Sequence, residues 1–135
     1  NRIVAHVPSK IERTKINIEL DLESMMQVCK HFIGEHDFYS FSTRDKNVGS
    51  TVRTISKLDM KKTGALELDA DLYYFEIEGN GFLKHMVRYI VGAIFEVGRH
   101  TIDSEDIRQG LHDRNEKKFS PKAKAKGLHL IEITY

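Results

Sequence analysis

The sequence predicts an α+β domain, an antiparallel sheet with helices packed on one face. Three observations predict it. Extended segments at 51–62 and 72–79 are spaced as a hairpin, and GLHLIEITY at 127–135 alternates apolar and polar residues as a further strand. Between them, Leu83, Met86, Val87, Ile90, Val91, Ile94 and Phe95 recur at helical spacing and form one wide apolar face. No repeat and no break in composition divides the 135 residues, a length sufficient for one domain with a real core.

The elements follow in chain order. Residues 1–20 are expected to form an extended arm or strand, with the alternation strongest in ERTKINIEL, 12–20. A domain over 21–135 follows it. Asp21 can cap a helix running to about Ile33, and Gly34 can end it. EHDFYSFSTRDKNVGS, 35–50, reads as a polar loop that contains three aromatics. The hairpin of 51–62 and 72–79 is expected to turn around Thr63 and Gly64. Gly79, Asn80 and Gly81 read as a turn before a helix from Phe82 to about Gly98. Asp103 or Ser104 starts a short helix through Leu111, and residues 112–126 are polar and rich in lysine.

Composition excludes several function classes. The net charge of +1 means that any nucleic-acid surface must be a local patch. Cys29 is the only cysteine, so there is no disulfide framework and no zinc knuckle. Its place on the stripe Leu22, Met25, Cys29, Phe32 predicts a buried structural thiol. No apolar run reaches membrane-spanning length and no signal peptide is evident, so no membrane partner is expected. The chain begins with Asn1 rather than Met, and we expect it to have been cut from something longer.

The start of the second helix carries the chemistry. Lys84, His85 and Arg88 all fall in its expected first two turns, and residues 79–95 contain no acid. A helix N-terminus is already electropositive, so cations there add to one anion-seeking spot. Either a phosphate or a carboxylate from elsewhere in the protein would fit. Arg88 suits a carboxylate best, because its planar fork binds both oxygens. The structural alternative is a solvated helix face with Arg88 paired to a surface acid.

Four segments together resemble the tRNA pseudouridine synthase A (TruA) family over roughly residues 20–135. They are GNGFLKHMVRYIVGAIFEVGR at 79–99, GEHDFYSF at 34–41, VRTI at 52–55 and FSPKAKAKGLHLIEITY at 119–135. The resemblance implies the C-terminal half of an enzyme that converts uridine in tRNA to pseudouridine, with an essential Asp and no cofactor or metal. Arg88 matches the family arginine that forms a salt bridge with that Asp. Lys84 and His85 are then expected at phosphate or tRNA, or else as mere solvated surface. The implied partners are tRNA, the N-terminal half of the same enzyme and a second copy in a homodimer. The implied compartment is the cytoplasm, or the nucleus or an organelle in a eukaryote.

One departure qualifies the match. The family's Gly-Arg-Thr-Asp-x-Gly-Val-His motif, which holds the catalytic Asp, is missing from this chain. STRDKNVGS, 42–50, has Thr43, Arg44 and Asp45 in the wrong order and reads as a solvated loop. Alone, the chain is therefore expected to be inactive. A catalytically silent RNA-binding or assembly module with the same fold is the alternative. Arg114, Lys117, Lys118, Lys122, Lys124 and Lys126 stand against one acid, Glu116, and could track phosphates. Of these, Lys122, Lys124 and Lys126 are candidate RNA contacts. Arg53, with Arg44 and Lys46, forms a second candidate set. His36 and Asp37 read as groups that fix their loop by hydrogen bonds.

Overall fold

The computed structural model of the chain describes residues 2–12, 20–67, 70–114 and 129–134, with side chains over 2–9, 20–62 and 73–114. In chain order the elements are β1 (Arg2–Glu12), α1 (Leu22–Phe32), β2 (Gly34–Asp37), β3 (Val52–Glu67), β4 (Ala70–Gly79), α2 (Met86–Gly98), α3 (Ser104–His112) and β5 (His129–Thr134). A short 3-10 turn, Tyr39–Phe41, lies between β2 and β3. Among the described residues five strands form one sheet in the order β2-β3-β4-β1-β5, and every pairing is antiparallel. The expected α+β class is therefore observed.

One face of the sheet is apolar. Ala5 and Val7 of β1, Ile55, Leu58 and Met60 of β3, and Tyr73, Phe75 and Ile77 of β4 are buried. The parity of β3 changes between Ile55 and Leu58. The register slips there: Ile55 faces Gly79 but Lys57 faces Glu78, so Ser56 is an extra residue. Such a bulge turns the following side chains over, which keeps Leu58 and Met60 on the core side. Met25, Val28, Cys29 and Phe32 of α1 and Met86, Val87, Ile90 and Ile94 of α2 complete one continuous core with that face. Cys29 is buried there with its thiol donating to the Met25 carbonyl at 3.3 Å, and burial pushes its pKa up to about 12. It is the inert structural thiol that its stripe predicts.

Alternate strand residues point the other way and carry charge. Lys57 pairs with Glu76 at 2.5 Å, Arg2 pairs with Glu78, and His6 lies against Tyr74 with ring centroids 4.4 Å apart.

Three expectations need correction. The hairpin does not turn at Thr63 and Gly64: β3 runs through them to Glu67, and the register shifts between Lys62 and Gly64. A glycine inside a strand marks a bulge as readily as a turn. The segment 35–50 is not simply a polar loop. Its first residues add β2 to the sheet edge, and Phe38 and Phe41 are fully buried in the core. Finally, α2 begins at Met86 rather than Phe82. Leu83 is buried, so it fits the helical apolar pattern from a turn. The Lys84 carbonyl, which in a helix would accept from the Arg88 N–H, accepts instead from the Thr43 N–H at 2.9 Å. The alternation of 12–20 falls almost wholly outside the described residues, and the strand expected in the N-terminal segment is β1, upstream of it.

Candidate active-site face

Of the three helices among the described residues, two start conventionally. Asp21 caps α1, accepting from the Ser24 N–H at 3.0 Å and the Ser24 hydroxyl at 2.7 Å, and these bonds hold its carboxyl below its ordinary pKa. Asp103 and Asp106 cap α3 reciprocally, each side chain accepting from the other's backbone N–H at 3.0 Å. Both helices have an acid in the first turn, Glu23 in α1 and Glu105 and Asp106 in α3. That is the arrangement the helix dipole favours.

The start of α2 shares none of this. It has no side-chain cap and no acid in its first turn. His85, in the capping position, has φ 60° and ψ 11°, the left-handed region. For a residue with a Cβ that conformation costs roughly 1–2 kcal/mol. The backbone bond from Tyr89 N to His85 O, 3.1 Å, opens the helix.

Arg88 sits in that first turn and is half-buried. Its Nε is buried with no hydrogen-bond partner among the described residues, and it makes no ion pair with any of them. A buried guanidinium nitrogen without an acceptor forfeits roughly 1–3 kcal/mol, more where the group is charged. Such a position is tolerated where a partner arrives. An incoming carboxylate would meet a charged fork and an electropositive helix end together.

The other predicted residues are placed differently. Lys84 is exposed and precedes the helix, so it is not a helix-surface neighbour of Arg88. It lines a cavity of about 250 Å³ with Thr43, Arg44, Asp45 and Arg114. His85 shares a hydrogen bond of 2.8 Å between its Nδ1 and the Thr43 hydroxyl. Arg53 donates from Nη1 to the Ser50 and Val52 carbonyls, both at 2.8 Å, so one end of its guanidinium holds its own strand entry. Lys122, Lys124 and Lys126 lie outside the described residues.

Asp37 holds the segment that flanks this face. Its carboxylate accepts from the Tyr39 N–H at 3.0 Å, the Thr51 hydroxyl at 2.5 Å and Arg114 Nε at 3.0 Å. Burial raises its pKa, but the bonds from Thr51, Arg114 and Tyr39 outweigh that and leave the carboxyl below its ordinary value. Arg114 also lies over the Tyr39 ring at 4.9 Å. His36 Nε2 is 3.0 Å from the Ile33 carbonyl, which can only accept. Both residues fix the loop, as their sequence context predicts. The partner that sequence reasoning missed is Thr43, since nothing local marks a threonine in a polar run as the clasp of a helix 42 residues away.

Among the described residues no cluster of His, Cys, Asp or Glu has the arrangement of a metal site, and no helix is long and apolar enough to cross a membrane.

Residues 28–135 match the sequence profile of the family described as tRNA pseudouridine synthase. The chain is 45% identical over 113 residues to tRNA pseudouridine synthase A 2 of Desulfotalea psychrophila, covering 84% of this chain and 42% of that protein. It is 38% identical over 120 residues to tRNA pseudouridine synthase A of Acetivibrio thermocellus, covering 89% of this chain and 47% of that protein. A third relative, tRNA pseudouridine synthase A 2 of Clostridium tetani, is 38% identical over 117 residues, with 87% and 45% covered. The chain thus spans less than half the length of these relatives. By profile and by identity, the chain belongs to the tRNA pseudouridine synthase A family.

Proposed function

We propose that this chain is the C-terminal, active-site-completing part of an enzyme that isomerises uridine to pseudouridine in tRNA. The observation that carries the reading is Arg88. It is a half-buried arginine in an acid-free first turn, and its Nε lacks any partner among the described residues. Family membership supplies the chemistry, and the relatives' greater length leaves room for the segment that holds the catalytic aspartate. In this reading that aspartate docks on Arg88, which keeps it ionised and oriented.

The reaction is an isomerisation. The N1–C1′ bond of uridine breaks, the base turns, and C5 bonds to C1′; C5 loses a proton and N1 gains one. The target nucleotide must leave its stack, at a cost of a few kcal/mol. Lys84 and Arg44, at the cavity beside the helix start, are the described cations we assign to tRNA phosphates. We add Lys122, Lys124 and Lys126 from the basic segment. The rest of the enzyme and tRNA are then this chain's partners.

The test is Arg88→Ala in the complete protein, with tRNA affinity and single-turnover rate measured on the same preparation. A lost partner that mispositions the aspartate by about 1 Å lowers the rate on the order of a hundredfold, with affinity nearly unchanged. Arg88→Lys recovers part of the rate, because it keeps the charge without the planar fork. A drop in affinity larger than the drop in rate would assign Arg88 to a phosphate instead.

A further inference from the structure

We infer that Thr43 and His85 are positioning residues that aim Arg88. The inference rests on the reading that Arg88 receives the catalytic carboxylate, and it adds how the chain holds Arg88 in place.

Three observations converge. First, His85 is a non-glycine residue in left-handed conformation immediately before α2, three residues ahead of Arg88. Its backbone angles set the direction in which the first turn leaves. Strained backbone of this kind persists only where surrounding contacts hold it. Second, Thr43 supplies such contacts at two points. Its N–H donates to the Lys84 carbonyl at 2.9 Å, and its hydroxyl shares a 2.8 Å hydrogen bond with His85 Nδ1. One bond grips the backbone just before His85 and the other grips its ring. Third, Thr43 is itself fixed. Phe38 and Phe41 anchor its segment in the core. The Ser42 hydroxyl donates to the Tyr39 carbonyl at 3.1 Å. Farther along, Asp37 ties the two ends together through Thr51, and Arg114 braces that tie.

A helix start needed only for stability has a simpler solution in the same chain, since α1 and α3 are capped by their own aspartates. At α2 the chain instead uses a strained residue clasped from 42 positions away. With the clasp in place of an acidic cap, the first turn holds no carboxylate of its own to compete for Arg88. It also prevents the turn from relaxing to an ordinary helix start, which would rotate the guanidinium.

The experiment is a set of substitutions in the complete protein, read by single-turnover rate, tRNA affinity and melting temperature. Thr43→Val removes the hydroxyl at nearly constant volume. It should lower the rate about 10- to 100-fold, the range expected for a misaimed catalytic group, with tRNA affinity and melting temperature little changed. Thr43→Ser should restore most of the rate. His85→Gly, which accepts the left-handed backbone without strain but has no ring to clasp, should lower the rate as Thr43→Val does. In an Arg88→Lys background, which retains part of the activity, Thr43→Val should have a much smaller effect. A full, independent loss in that background overturns the proposal and leaves the carboxylate reading standing. An unchanged rate in both Thr43→Val and His85→Gly overturns it as well. Near-wild-type turnover by Arg88→Ala overturns the carboxylate reading, and this proposal with it.

Discussion

The starts of α2 and α3 solve the same problem in opposite ways. Each must satisfy the unpaired N–H groups of a first turn. In α3 the solution is local: Asp103 and Asp106 cap each other's backbone, and Glu105 adds negative charge. In α2 no side chain caps the first turn, and the Leu83 carbonyl accepts from the Met86 N–H at 3.0 Å; the turn holds Arg88, and its geometry is imposed by a clasp from Thr43. The two helices are completed in different places. The α3 start is complete within its own sequence. The α2 start keeps unspent electrostatic capacity, which suits a helix whose partner comes from elsewhere.

Giving α2 the acid that α3 has should produce the largest effect. Arg88→Glu should reduce synthase activity of the complete protein by more than the roughly hundredfold expected of Arg88→Ala, because it sets a carboxylate against a carboxylate. The melting temperature should hardly move, since a first-turn acid suits the dipole. A large fall in melting temperature would show that Arg88 serves the fold.

The far end of α2 gives the next effect. A Cβ built on Gly98 would lie 2.5 Å from Met25 Sδ and 2.7 Å from Met25 Cγ. Met25 is fully buried, so the core around it must take up any shift of its side chain. Gly98→Ala should therefore cost about 1–3 kcal/mol by overpacking, measured by denaturant unfolding. Any loss of rate should disappear under conditions where the variant is fully folded. On the proposed function, one helix carries a functional end and a structural end, and equal sensitivity of catalysis at both would erase the distinction.

At α3, Asp103→Ala should cost about 1 kcal/mol of stability, the usual value for a lost cap. Synthase rate, corrected for the folded fraction, should stay unchanged. A rate effect would mean that α3 is also part of the active face.

The smallest expected effect is a pH dependence. The Asp37 carboxyl is held below its ordinary pKa in the folded chain, so it binds protons less readily there than when unfolded. Its contribution is fully present above the unfolded value of about 4 and is lost as pH falls through the depressed folded value. Asp37→Asn should flatten the acid limb of the stability curve below about pH 4 and leave the limb above pH 7 unaltered. An acid limb of unchanged steepness would show that the Thr51 and Arg114 bonds do not stabilise the charged form.

Much of the fold was legible because local rules govern it. The caps at Asp21 and Asp103 depend on groups within three residues, so the starts of α1 and α3 fall where the sequence places them. The extents of β3 and the start of α2 were misread for a shared reason. Gly64 and Leu83 each fit two local patterns, a turn or a bulge in one case and a helix or a turn in the other. Distant partners decide between them, β4 for Gly64 and Thr43 for the backbone after Leu83.

The candidate site divides along the same line. By itself the sequence determined the α+β class, the core face of α2, the absence of acids around its start and the standing of Arg88 as the residue best suited to a carboxylate. Hydrophobic period and charge are properties of near neighbours in the chain, so they can be read without a structure. Long-range packing is what sets β1 between β4 and β5 and joins Asp37 to Arg114 across 77 positions. It also decided that Lys84 precedes the helix, that His85 is clasped by Thr43, and that the Arg88 Nε is buried without a partner among the described residues. Each of these depends on which distant backbone and side-chain groups reach one another first. That competition is settled by packing the whole core, and a residue's own neighbours carry no record of it.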